Sequence, residues 1–426
     1  MEEKKGSIKK WMTFGTLILG GGTIYKLPYL KDAFYVPMQQ QFHLTNTQIG
    51  AMLSAYAIVQ SFGYIFSMYL TDRFSKKKLL PIGLIGVGAL GFFMLTSPGY
   101  TGMLILWCLF AVFAELLFWP VLVKSVRLLG GKDEQGRMFG FLEAGRGVVD
   151  TIVAFTALGI FQLLGAGSTG LKGAIVFYST IVIVVGIISY FLLEDDVIVT
   201  TKNKDGEVNK NKIALQGAIK ALKMPEVWLV SFTIFSVYSV YCGLTYFIPF
   251  LKDIYGLPVA LVGAYGIINQ YGLKMVGGPI GGFLADKGFK SPSKYIRAAF
   301  VAAIAAMTIF IFLPHQKMNV YAGMTFTLGF GTIIFTMRAV FFAPMEEVEI
   351  PREISGAATS VACFVGYAPS MFAFPLFGSL IDKTPGINGY KQVFLLMIAF
   401  SVLGFILSSL LVHMVNKKKA LGQEAA

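Results

Sequence analysis

Charge is scarce in this chain. Only 14% of its 426 residues are Asp, Glu, Lys or Arg, against about a quarter in an ordinary soluble domain. With 55% hydrophobic residues and a mean hydropathy of +0.68, that shortage excludes a soluble globular protein and makes a lipid bilayer the expected solvent. Cysteine and histidine are nearly absent. Cys108, Cys242 and Cys363 each lie inside an apolar run, which excludes a disulfide framework and a cysteine metal site. His43, His315 and His413 sit at segment ends, far apart in sequence. No Gly-rich phosphate loop, nucleophile elbow or metal motif occurs, so neither an enzyme, a cofactor nor a bound metal is expected. The glycines of GLIGVGALGFF, residues 83–93, lie mid-segment and read as helix packing.

What is present is a series of twelve apolar segments, near 11–36, 47–70, 79–97, 101–123, 138–164, 173–193, 227–251, 259–284, 298–314, 319–342, 354–381 and 391–415. The first run is too long for a signal-peptide core and is read as a spanning helix that stays. The net charge of +13 is consistent with a nucleic-acid partner until its distribution is considered. If the N-terminus is cytoplasmic, 26 of the 36 basic residues fall in inside segments, among them Lys76, Lys77, Lys78, Lys287, Lys290 and Lys417. Six fall outside, and Lys26, Arg146, Lys274 and Arg338 lie within spans. That bias is the positive-inside rule, with both termini cytoplasmic. The basicity reports topology, and no nucleic acid is expected as a partner.

Residues 194–226 form the one long polar stretch, and they lie at the centre. They divide the chain into an N-terminal six-helix bundle, 1–193, a cytoplasmic linker, 194–226, and a C-terminal six-helix bundle with a short basic tail, 227–426. Internal similarity supports the division. PYLKD ends the first segment and PFLKD the seventh; TDRFSKKK follows the second and ADKGFK the eighth. Asp72 and Asp286 are 214 residues apart, almost half the chain. The expected fold is all-α and membrane-spanning, with two pseudo-symmetric six-helix bundles and a binding site between them near the midplane.

GGFLADKGFK resembles the signature loop of the major facilitator superfamily, and TDRFSKKK resembles its first-half copy. The resemblance implies a cytoplasmic gate motif of Asp72, Arg73, Asp286 and Lys287, with Asp72 serving the start of the eleventh helix and Asp286 the start of the fifth. A carboxylate beside a helix N-terminus gains from the exposed amide dipoles. Within the superfamily, TNTQIGAMLSAY, FWP, EQGRMFGF and GYAPS are similar to the organophosphate:phosphate antiporter branch. Its phosphate-binding arginines, however, match Tyr29 and Tyr241 here, and a lysine of its second helix matches Tyr64. Its binding histidine matches Arg146.

GFLEAGRGVVD, residues 140–150, carries Glu143, Arg146 and Asp150 at spacings of three and four, which puts all three on one helix face. Ionised groups in a membrane normally face protein or a water-filled cavity. Two readings stand: a substrate site, or a structural ion cluster that neutralises itself. Lys26 and Tyr29, and Gln270 and Lys274, share faces in their own segments, and Arg338 lies in the tenth. Arg338 either contacts substrate or pairs with Glu346 or Glu347. Tyr238 and Tyr241 on the seventh segment and Tyr367 on the eleventh complete the substrate-contact set. Glu115, isolated in FAELLFW, either loads a proton, pairs with Arg146 or makes a protonated helix–helix bond. The expected function is secondary active transport of a small, polar, anionic metabolite by alternating access, with Glu115, Glu143 and Asp150 as the proton-coupling or charge network. The expected state is a monomer in the bilayer of the cell (inner) membrane. The alternatives are a carrier of neutral or cationic compounds, or a transporter-like membrane sensor.

Overall fold

In a computed structural model the chain is described over residues 2–73, 75–129, 135–193, 219–351 and 355–424. Every regular element there is helical. Contacts divide the chain into two units, one of Met1–Thr200 with Leu257–Gly272, the other of Thr201–Gly256 with Leu273–Ala426. Residues 257–272, expected with the C-terminal bundle, therefore pack with the first unit.

The first unit contains α1 (Glu2–Thr23), α2 (Lys31–Phe42), α3 (Asn46–Arg73), α4 (Lys76–Met94), α5 (Gly99–Ala111), α6 (Trp119–Leu129), α7 (Gln135–Leu163) and α8 (Ser168–Leu192). Later in the chain come α9 (Pro225–Gly243), α10 (Phe247–Tyr255), α11 (Val259–Ile267), α12 (Leu273–Phe283), α13 (Pro292–Phe312), α14 (Val320–Val340), α15 (Pro344–Glu347), α16 (Ser355–Tyr367), α17 (Ala373–Lys383) and α18 (Ile387–Glu424); the expected linker falls mostly outside the described residues. Of these, α11 belongs to the first unit and the rest to the second. Nine stretches among the described residues are long and apolar enough to cross a bilayer: 76–94, 99–123, 141–163, 168–192, 225–255, 292–312, 320–340, 358–383 and 387–418. The other three apolar segments of the sequence are helical but differ in kind. The first is broken by turns over 24–30 between α1 and α2, with Pro28 inside the break. The second is α3, whose side chains beyond Gly63 lie outside the description. The eighth holds Asn269, Gln270 and Lys274, and passes through a π-helical turn, Ile268–Gly272.

Local chemistry sets the ends. Ser75 caps α4 by accepting from the Lys77 amide, and Ser291 caps α13 by accepting from the Lys294 amide, with Pro292 at its first position. The α10 helix stops at Gly256, whose φ of 66° is left-handed. Buried hydroxyls in α9 are satisfied internally: Ser231, Ser236 and Ser239 donate to the carbonyls four residues back. Helices meet over small residues. A Cβ on Gly88 of α4 would stand 2.8 Å from the Ser179 carbonyl of α8, and one on Gly281 of α12 would stand 2.4 Å from that of Thr336 in α14. The core of the first unit gathers Trp107, Phe110, Phe118, Phe161 and Tyr178. That of the second is an aromatic nest, with Phe250 5.2 Å from both Tyr390 and Phe394 and Phe310 stacked on Phe326.

Two further π-helical turns, Val112–Phe118 and Leu284–Gly288, join the one in the eighth segment. The three contain Glu115, Gln270 and Asp286, all candidate residues from the sequence. An extra residue in a turn widens the helix and is a frequent companion of functional positions.

Candidate functional site

In the first unit Arg146 is buried, with 6% exposure. Its Nε donates to the Gly21 carbonyl at 3.1 Å and its Nη1 to Glu143 Oε1 at 2.5 Å. The guanidinium lies 4.7 Å from the Trp119 ring and 5.8 Å from Tyr25, a cation–π setting. Glycine makes this possible, because a Cβ on Gly21 would stand 2.9 Å from Arg146 Cδ and one on Gly22 2.6 Å from Val149 Cβ. Glu143 is exposed at 48% of its side chain, so the ion pair is partly solvated and weak.

Asp150 belongs to a different pair. Its Oδ1 lies 2.6 Å from Lys26 Nζ, with both residues buried. Lys26 projects from the turns that break the first segment, and Tyr271 of the π-turn covers it at 3.7 Å from Nζ to ring centroid. The Tyr271 hydroxyl donates to Asp32 Oδ2 at 3.4 Å, and Asp32 is paired with Lys31 at 2.5 Å. One helix face in the sequence has thus become two neighbouring ion pairs with separate cations.

Glu115 is buried in its π-turn and accepts from the Tyr56 hydroxyl of α3 at 2.9 Å. From there a wall of rings leads back to Arg146: Tyr56 to Tyr29 at 5.7 Å, Tyr29 to Tyr25 at 6.2 Å, and Tyr25 to Trp119 at 6.3 Å. Tyr29 and Arg146 therefore border one aromatic wall with Glu115 at its far end. Sequence reasoning missed Tyr25, Tyr56, Trp119, Asp32 and Tyr271. The aromatic character of each ring was visible, but only tertiary contacts select these from the rest.

In the second unit Arg338 of α14 lies 4.0 Å from the Tyr241 ring and 5.5 Å from Tyr238. Tyr238 also meets Tyr367 at 4.8 Å. Arg338 and the expected tyrosine contacts of the seventh and eleventh segments thus form one cluster. Pairing of Arg338 with Glu347 does not occur. Glu347 instead accepts from the Ser291 hydroxyl at 2.5 Å, the Ser293 amide at 2.8 Å and the Ser293 hydroxyl, at the N-terminus of α13. Among the described residues no carboxylate lies within ion-pair distance of Arg338. Gln270 is buried within the π-turn and Lys274 is exposed beyond its end. Asp286 and Lys287 are exposed in the third π-turn. The side chains of Tyr64, Asp72 and Arg73 lie outside the described residues. Among the described residues no group of three His, Cys, Asp or Glu is arranged to hold a metal.

Comparison with known proteins now adds to the geometry. The Major Facilitator Superfamily model matches residues 32–374. Inner membrane protein YihN of Escherichia coli strain K12 is 52% identical over 414 residues, covering 96% of this chain and 97% of that one. Inner membrane protein YqcE of the same organism is 28% identical, covering 92% of each. The glycerol-3-phosphate transporter of Bacillus subtilis strain 168 is 20% identical, covering 91% of this chain and 88% of that one. Among solved structures, a bacterial homolog of the human lysosomal transporter Spinster, in an inward-facing and unoccupied conformation, superposes with a TM-score of 0.73. It has 15% identity and covers 96% and 98% of the two chains. The nucleoside transporter NupG superposes with a TM-score of 0.71 at 15% identity, covering 95% and 98%. These last two speak for the fold alone. With all-helical units, nine apolar spans among the described residues and a family match over most of its length, the chain belongs to the Major Facilitator Superfamily of transporters and is a multi-pass protein of the inner membrane.

Proposed function

We propose that the chain is a proton-coupled secondary transporter of a small organic anion, a carboxylate in the first instance. In this reading it works by alternating access, as a monomer of twelve spans with both termini cytoplasmic. The observation that supports an anion most is Arg338. It sits in a membrane-spanning helix among three tyrosine rings, with no carboxylate in ion-pair distance among the described residues. Arg338 lies half-buried in the last turn of α14, and a bound carboxylate offsets the desolvation of its guanidinium through charge-assisted bonds. The tyrosine hydroxyls then orient the rest of the ligand. Arg146 is the second cation in this reading. Its guanidinium is held by Gly21 and Trp119, so an incoming anion can replace the half-solvated Glu143 without moving it. The B. subtilis relative carries, by its name, an organic anion. Tyrosines at 29 and 241, where that branch keeps arginines, favour a group of lower charge than phosphate. Glu115, bonded to Tyr56 in the widened turn, is the proposed proton carrier.

The test is uptake into proteoliposomes against carboxylates, sugar phosphates, neutral sugars and amines, with and without a pH gradient. A carboxylate should accumulate, Arg338→Gln should abolish its uptake, and Glu115→Gln should remove the response to the gradient. Uptake of neutral or cationic compounds alone, unaffected by Arg338→Gln, refutes the anion; a flat pH response in the parent protein refutes the proton.

A further inference from the structure

The α4 and α8 helices run in close contact over Gly88, where Ser179 and Ile183 fill the space a Cβ would take, and over Gly186, which meets Leu84 and Ile85. Beyond these glycines, at the end that carries the lysines, the two helices border a groove of about 420 Å³. That volume is within the ordinary range for a small-molecule site, roughly 300–1,000 Å³. The groove is lined almost wholly by apolar side chains, among them Ile82 and Ile187, which are 49% and 46% exposed. Lys78 stands at its rim. Lys77, on the preceding position, holds its Nζ 5.7 Å from the Tyr190 ring, and Tyr190 with Phe191 closes the α8 side.

We propose that this groove binds an anionic phospholipid of the leaflet in which Lys76, Lys77 and Lys78 lie. The argument is charge complementarity joined to an apolar trough. An acyl chain lying along Ile82 and Ile187 stays in hydrocarbon, and its phosphate then reaches the level of Lys77 and Lys78. Basic clusters at that depth attract anionic headgroups, and the exposed Tyr190 ring suits the headgroup boundary. A zwitterionic lipid fills the trough equally well but, with no net charge, gains less from the lysines. The trough is also what separates this site from a bare lysine cluster, since a free phosphate would use the lysines and leave the trough unfilled. The site lies wholly within the first unit and is independent of substrate and coupling ion.

Thermal unfolding of the full chain in detergent tests it, with phosphatidylglycerol, phosphatidylcholine and inorganic phosphate added separately. At a lipid concentration about 100 times its dissociation constant, phosphatidylglycerol should raise the melting temperature by roughly 5 °C more than phosphatidylcholine. The difference should vanish in Lys77→Gln/Lys78→Gln. It should also vanish in Ile187→Trp, which fills the groove and keeps both lysines. Melting of each variant in detergent alone at the parent temperature shows that it is folded. Should one not fold, native mass spectrometry of the parent protein decides, with phosphatidylglycerol retained in preference to phosphatidylcholine. Equal stabilisation or retention of the two lipids, an effect that survives both substitutions, or full reproduction by inorganic phosphate overturns the proposal.

Discussion

Replacing Lys26 by methionine leaves Asp150 buried without its cation. The pair is 2.6 Å apart, and the two residues are 2% and 7% exposed. At an effective dielectric constant of about 20 their attraction is about 6 kcal/mol, most of it offset by the desolvation of both ions. The net value of the pair is therefore small, but the cost of breaking it is not. Removing one partner of a buried pair destabilises by about 3–5 kcal/mol. At about 2 °C per kcal/mol for a large chain, Lys26→Met should melt roughly 6–10 °C lower. The double variant Lys26→Met/Asp150→Leu carries no stranded charge and should recover most of that loss. It still lacks the cation under the Tyr271 ring, 3.7 Å away, a contact worth up to about 2 kcal/mol when desolvated. Differential scanning fluorimetry of the three proteins in one detergent is sufficient. If the double variant melts as low as Lys26→Met, or if Lys26→Met matches the parent, the buried-pair reasoning is wrong.

Adjacent glycines in α12 give a sharper steric contrast. Gly281→Ala places a Cβ 2.4 Å from the Thr336 carbonyl and should cost about 1–3 kcal/mol, whereas Gly282 has nothing within 4 Å, and Gly282→Ala should be neutral or stabilising by up to about 1 kcal/mol; thermal melting ranks them. His315, in the connection between α13 and α14, bonds the Tyr255 hydroxyl through Nδ1 at 2.8 Å and is buried. Burial holds its pKa below the ordinary 6.5, with Lys391 pushing the same way. The unfolded chain then takes up a proton that the native protein resists, so stability should fall as pH drops below about 6.5. Melting at pH 7.5 and 5.5 should show that fall, and His315→Gln should show less of it.

The all-helical character and most of the spans were legible because a bilayer demands long apolar runs and satisfied backbones. The break at 24–30 was not, since PYLKD sits at the end of a run that reads as continuous. Periodicity placed Tyr238 and Tyr241 beside each other, but it carried no sign that Gln270 would be buried and Lys274 exposed. Charge partners were the least legible. Glu143, Arg146 and Asp150 share a face, but which cation each acid meets depends on Lys26, which lies more than a hundred residues earlier. Glu347 was a plausible mate for Arg338 by distance in sequence, yet the two serines at the start of α13 claim it.

The widened turn at Val112–Phe118 has a hereditary consequence. It lies between α5 and α6, so the direction of every α6 side chain depends on that one surplus residue. Loss of one residue together with closure to ordinary pitch would leave α6 nearly in place, but closure with every residue kept would rotate its side chains by about 100°. Trp119 would swing off the Arg146 guanidinium while the residues before Glu115 stayed where they are. No substitution at Trp119 or Arg146 is required for that change. In this stretch of the gene the length of the message and the pitch it encodes have to change together, and an alignment that closes the gap would hide the feature that aims the helix.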